Sequence, residues 1–198
     1  MLNDFLSQAQ KTNTMVELTG QPCSGKSFIL KKILKQRPIE KHYLNALDLL
    51  RLKNIKFREL RFLVTYSKRS KRRLIQKLRA LISCITKLLY SSKYKYNFTI
   101  IDEGVSHIPY LLDLKGNDLN QFLEIFASHF EKTLVLYCVA SQDNIRKRLI
   151  KRGHKRIKPD DKNALNNFLS LNNEIDKSYQ QILFKSRYMN YSKLSTDY

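Results

Sequence analysis

Residues 20–27 carry the clearest chemistry in the chain: Gly20, Gln21, Pro22, Cys23, Ser24, Gly25, Lys26 and Ser27 have the spacing Gly-x-x-x-x-Gly-Lys-Ser. Each fixed position has a physical task. Glycine at 20 and 25 permits backbone angles and a closeness of approach that a side chain blocks, so successive N–H groups can turn around phosphate oxygens. Lys26 has the length and charge to reach terminal phosphates, and the Ser27 hydroxyl suits Mg2+. Pro22 and Cys23 fill positions where the motif accepts any residue. Cys23 reads as a spacer, although a thiol beside so many N–H groups could have a lowered pKa. An apolar run at 15–19 feeds the loop, and Phe28, Ile29, Leu30, Ile33 and Leu34 follow it at helical spacing. Strand, loop and helix stand in the order that aims a helix N-terminus at a phosphate.

A second group of candidates lies at 102–103. Residues 97–101, with Phe98, Ile100 and Ile101, read as a buried strand that ends in Asp102-Glu103-Gly104. A carboxylate delivered at the C-terminal end of a strand lies at the edge where an open parallel sheet binds ligands. Asp102 is therefore expected to organise Mg2+ together with Ser27. For Glu103 three roles stay open: a general base, an outer partner of the Mg2+ site, or a substrate contact. Asp48, at the end of an ambiguous element spanning 42–50, could take the proton of a hydroxyl acceptor or cap a helix. His107 reads either as a substrate contact or as loop surface. Arg146, Arg148, Lys151 and Arg152 crowd one basic helix at 142–152, where arginines are usually solvated.

The elements that must position these groups follow from periodicity and breakers. A short helix is expected at 1–10, and the helix after the loop should stop before Pro38. Further helices are expected at 55–64, along the apolar stripe Leu74, Leu78, Leu81, Ile85 and Leu88, at 117–130, and at 162–184. Residues 133–140 read as a third buried strand and 187–191 as a last short one. Strands alternating with helices imply right-handed crossovers and a parallel sheet covered on both faces.

Composition limits the remaining choices. A chain of 198 residues with 42% hydrophobic content suits one folded domain. No apolar run approaches the length of a membrane span, which makes the cytoplasm the expected location. Three widely spaced cysteines suggest neither a disulfide framework nor a zinc site. The net charge of +20 is uneven: residues 51–95 hold fifteen Lys and Arg against the single acid Glu59. That segment should attract an anionic partner, whether nucleotide, phosphorylated sugar, nucleic acid or acidic membrane surface. Its apolar stripe is most simply core packing. Tyr66, Tyr90, Tyr94 and Tyr96 lie within or just beyond the segment and could stack on a base, though none falls in an RNA-binding motif.

Taken in order, the loop at 20–27, the strand ending in Asp102-Glu103-Gly104, and Arg148-x-x-x-Arg152 after the next strand resemble the P-loop small-molecule kinases of the nucleoside-monophosphate-kinase type. Adenylate, thymidylate and shikimate kinases belong to that superfamily. The resemblance spans roughly residues 14–192. It implies a single α/β domain over 1–198, a P-loop NTPase three-layer α/β/α sandwich with a mainly parallel sheet. It also implies a basic helical acceptor-side insert at about 51–95 and a helical lid at about 148–161. ATP and Mg2+ would be the cofactors, with Arg148 and Arg152 closing over the transferring phosphoryl group. Lys158-Pro159-Asp160-Asp161 stands where the family often has Arg-x-Asp-Asp, which leaves Arg156 as the substitute lid arginine. The implied activity is phosphoryl transfer from ATP to a nucleotide, nucleoside, sugar or related metabolite. The alternative is a nucleic-acid-binding NTPase or a polynucleotide 5′-hydroxyl kinase that uses the basic segment. The chain has no Asn-Lys-x-Asp guanine-reading motif, which argues against a regulatory GTPase.

Overall fold

The computed structural model of the chain describes residues 2–12, 14–36, 55–69, 74–94, 98–131, 133–152, 161–185 and 190–197. In chain order the elements are α1 (Leu2–Lys11), β1 (Met15–Thr19), α2 (Lys26–Gln36), α3 (Phe57–Arg69) and α4 (Leu74–Tyr94). Next come β2 (Ile100–Asp102), a 3-10 turn (Val105–His107), α5 (Ile108–Leu112), α6 (Asn117–Ile125), α7 (Ala127–Phe130) and β3 (Thr133–Val139). The chain closes with α8 (Gln142–Arg152), α9 (Lys162–Lys185) and β4 (Asn190–Ser195).

Among the described residues four strands form one parallel sheet in the order β2-β1-β3-β4. Every connection between consecutive strands contains helices, as parallel pairing requires. Alternating residues of β1 and β3 feed two cores. Val16, Leu18, Leu136 and Cys138 meet Leu6 and Ala9 of α1 and Ile29 and Ile33 of α2 on one face. On the other face Val135 and Tyr137 meet Phe62, Cys84, Leu88, Phe122 and Tyr179, from α3, α4, α6 and α9. The result is the expected α/β/α sandwich. From β1 the chain crosses first to β2 and then back to β3, so the topological switch point lies between β1 and β3, where open sheets bind ligands.

Among the described residues the expected helices and strands are present, the strand before Asp102 being only Ile100–Asp102, and other differences stand out. Residues 117–130 do not form one helix. The backbone breaks at Phe126 (φ −98°, ψ 10°), whose ring packs 4.8 Å from Phe122 and 5.7 Å from Phe62. The last strand, described over Asn190–Ser195, runs past the end expected at 191, because pairing with β3 rather than an apolar run defines it, and residues 187–189 of the expected strand lie outside the described residues. On α4 the inward face is Ala80, Cys84 and Leu88, whereas Leu74, Ile75, Leu78 and Ile82 are exposed, so the stripe is only partly core. The element expected at 42–50, with Asp48, lies outside the described residues, as do Arg156 and most of the expected lid.

Candidate active site

The loop after β1 is built at the switch point. Gly20 has φ +137°, and a Cβ there would stand 2.2 Å from the carbonyl oxygen of Cys138 in β3, so only glycine fits. Gly25 (φ +94°) is equally constrained, because a Cβ would meet the Thr196 side chain at 2.8 Å. With Cys23 also at φ +63°, the loop alternates handedness in the manner of anion-binding backbone nests. Ser27 opens to solvent at the start of α2, at the end of the helix that carries partial positive charge.

Lys26 is buried and its ammonium donates to the carbonyls of Gly20 and Gln21, both at 3.0 Å. The same nitrogen lies 3.3 Å from the Glu103 carboxylate. Parallel pairing sets Asp102 opposite Leu18, which places both acids beside the loop. Asp102 reaches solvent, yet the protein around it and the charge of Glu103 push its carboxyl above the usual value, against the pull of Lys26 and Lys87. For Glu103, burial works in favour of the neutral acid, but His107, Lys26 and Lys87 outweigh it and hold the carboxyl down at about 2. His107 is itself pushed down to about 3 by full burial, so at neutral pH the two lysines supply the attraction.

Three residues without an expected role support this edge. Glu17, buried within β1, accepts the N–H groups of Val105 (3.0 Å) and Ser106 (2.8 Å). Gly104 makes room for that carboxylate, since a Cβ would lie 2.2 Å from its carbon. Lys87, from the basic helix α4, donates to the Glu103 carbonyl, and burial lowers its pKa. Glu103 is thereby fixed at φ +57°, with its N–H on the Leu18 carbonyl at 3.0 Å. Thr196, beyond β4, donates to the carbonyl of Ser24 in the loop. An acid between Val16 and Leu18 in a short strand was the one available signal for Glu17. Nothing local marked Lys87 or Thr196.

Other expected residues fall differently. His107 is not loop surface: it is buried, its ring stacks 5.2 Å from Tyr110, and Nε2 lies 3.5 Å from Glu103. Tyr66 is no base-stacking platform, because it is buried and bonds Asp118 (2.7 Å) and Gln121 (2.9 Å). The Cys23 thiol is raised rather than lowered, burial outweighing Arg152, Lys26 and Arg148. Arg148 turns its guanidinium to the loop and to the end of β4. One nitrogen is 3.3 Å from both the Cys23 carbonyl and the Thr196 hydroxyl, and the other donates to the Thr196 carbonyl. Arg152 is exposed beside Cys23, and Arg146 donates to Asn166 at 3.0 Å. Asp161 accepts the N–H of Ala164 at 2.9 Å and caps α9.

A parallel sheet with a phosphate-loop sequence at its switch point and a carboxylate at the end of the adjoining strand is the P-loop NTPase fold. Comparison with solved structures agrees. The chain is similar to a deoxyadenosine kinase from M. mycoides with bound dATP, with a TM-score of 0.52 and 15% identity over 91% of this chain and 90% of that one. It is also similar to a deoxyadenosine kinase from M. mycoides with the products dCMP and a flexible dCDP bound (TM-score 0.51, 15% identity, 91% and 89% coverage). No protein-family model and no curated protein matches the sequence. Among the described residues no helix is long and apolar enough to cross a membrane.

Proposed function

We propose that the chain is an ATP-dependent phosphotransferase that moves the γ-phosphoryl group to a small-molecule acceptor, a nucleoside, nucleotide, sugar or related metabolite. The observation that carries this reading is the buried Lys26 ammonium, held between the loop carbonyls and Glu103 with Asp102 alongside. The residues fit a nucleotide and Mg2+. The cradle excludes a Cβ at Gly20 and Gly25, and Gln21 Oε1 and Ser24 Oγ are buried without a hydrogen-bond partner among the described residues. Ser27 and Asp102 offer the hard oxygen donors that Mg2+ prefers. When bound, the ion neutralises phosphate oxygens.

Phosphoryl transfer asks the protein mainly for positioning and charge. Lys26 supplies positive charge to the transferring group, and the backbone of residues 21–27 orients the phosphates. Glu103 is too weak a base at pH 7 to remove a hydroxyl proton efficiently, so its part is to orient Lys26. Asp48 is the carboxylate proposed to take the acceptor's proton. Arg148 positions the loop, and Arg152 is the exposed guanidinium available to close over the reacting group and exclude water.

The test is incubation of the purified protein with γ-labelled ATP and Mg2+ against pooled nucleosides, nucleoside monophosphates, sugars and short oligonucleotides, with the label traced by mass. Label on one small molecule is the expected result. Label released only as phosphate, faster with nucleic acid present, would overturn the reading in favour of a nucleic-acid-dependent NTPase.

A further inference from the structure

We propose that the exposed apolar face at the start of α4, with the basic side chains of Lys68, Arg69 and Arg79 near it, docks on an anionic lipid surface. Leu74, Leu78 and Ile82 recur every fourth residue and Ile75 lies beside them, so all four share one side of the helix. They are 81%, 57%, 55% and 66% exposed in that order. The opposite side, Ala80, Cys84 and Leu88, is already used by the core. Single exposed hydrophobic residues are ordinary, but four on one face within nine residues form a patch that something else should cover.

Charge selects the occupant. Residues 68–79 contain seven Lys and Arg and no acid. Lys68 and Arg69 at the end of α3 and Arg79 on α4 are exposed, and Lys77 ties the two helices by donating to the Lys68 carbonyl at 2.9 Å. An apolar helical face rimmed by Lys and Arg is the arrangement that lies in the interface of a membrane bearing acidic headgroups. A nucleic acid would use the charges and leave the apolar side chains in water. A second copy of this chain would bring a second set of Lys68, Arg69, Lys77 and Arg79 to the interface, on a protein whose net charge is already +20. The inference is independent of the phosphoryl-transfer reading.

The test is flotation of the full chain with vesicles of phosphatidylcholine alone or mixed with phosphatidylglycerol, at rising salt. Binding is expected only to the mixed vesicles and should weaken with salt, each basic residue at the surface contributing about fivefold. The paired change Leu78→Glu and Ile82→Glu should lower binding by at least about tenfold. Both sites are exposed, so circular dichroism and the melting temperature should stay as in the parent. Absence of binding to anionic vesicles would overturn the proposal. So would undiminished binding by the paired variant, which would mean charge alone, or a dimer in sedimentation that the same variant dissociates, which would make a second copy the occupant.

Discussion

Arg148→Met tests whether this arginine grips the phosphate loop or acts only over a substrate. In the structure its guanidinium reaches three acceptors on two separate segments: the Cys23 carbonyl, the Thr196 hydroxyl and the Thr196 carbonyl. Thr196 in turn donates to the Ser24 carbonyl and fills the space beside Gly25. Hydrogen bonds from a charged donor contribute roughly 1.5–3 kcal/mol each when well buried. Because the side chain is half-buried and shares its acceptors with solvent, a net loss of about 2–3 kcal/mol is expected for the set. For a domain of this size that corresponds to a fall in Tm of roughly 5–10 °C. The loop would lose its anchor to β4, so Mg-ATP should bind about tenfold more weakly even without an acceptor. Arg148→Lys should recover only part, since an ammonium lacks the fork that spans both segments. Scanning calorimetry and titration calorimetry with Mg-ATP read the two quantities separately. An unchanged Tm and unchanged ATP affinity, with turnover alone reduced, would refute the clamp and return Arg148 to the lid. A double-mutant cycle with Thr196→Val adds a check, because directly bonded partners should couple by about 0.5 kcal/mol or more.

Lys26→Ala should abolish phosphoryl transfer while leaving the circular dichroism spectrum of the parent, and retained turnover would disprove its assignment. Gly104→Ala should cost more than about 3 kcal/mol, because the new Cβ meets the buried Glu17 carboxylate at 2.2–2.6 Å. The comparison Gly116→Ala, with nothing within 4 Å of the new Cβ, should cost backbone strain alone, on the order of 1–3 kcal/mol for its φ of +54° and ψ of −129°. Equal melting temperatures for the two variants would contradict this account of Gly104. His107 is held neutral by burial, with its pKa lowered from 6.5 to about 3. The unfolded chain therefore binds a proton below pH 6.5 that the folded one refuses. This contribution to stability is full above 6.5 and falls as the pH drops toward 3, by on the order of 3 kcal/mol at pH 4. His107→Phe should flatten that part of the urea-midpoint profile; an unaltered slope between pH 6.5 and 4 would contradict the burial argument.

Much of the architecture was legible in the chain because the signals are local. The Gly20-to-Ser27 spacing, the apolar strands and the helical stripes depend on neighbours within a few residues, and most elements among the described residues formed close to their expected places. The break at Phe126 was not visible, since helical spacing continues through it and only the aromatic cluster with Phe62 and Phe122 fixes the ring. The end of the last strand was missed for a related reason: Asn190, Ser192, Lys193 and Ser195 give no apolar run, and these residues are strand because β3 supplies their hydrogen bonds.

By itself the sequence determined that the chain would build a parallel sheet, place a phosphate loop after its first strand and bring an acid to a neighbouring strand end. Tertiary structure alone decided what holds those groups. Glu17 lies 88 residues before Val105, and Thr196 lies 172 residues after Ser24, yet each supports the partner through a direct hydrogen bond. Tertiary packing likewise chose which side of α4 the core covers, leaving Leu74, Ile75, Leu78 and Ile82 outside. The physical reason is range: backbone propensity and hydrophobic period act over one or two turns, whereas a buried polar group takes whichever partner the folded topology brings within about 3 Å.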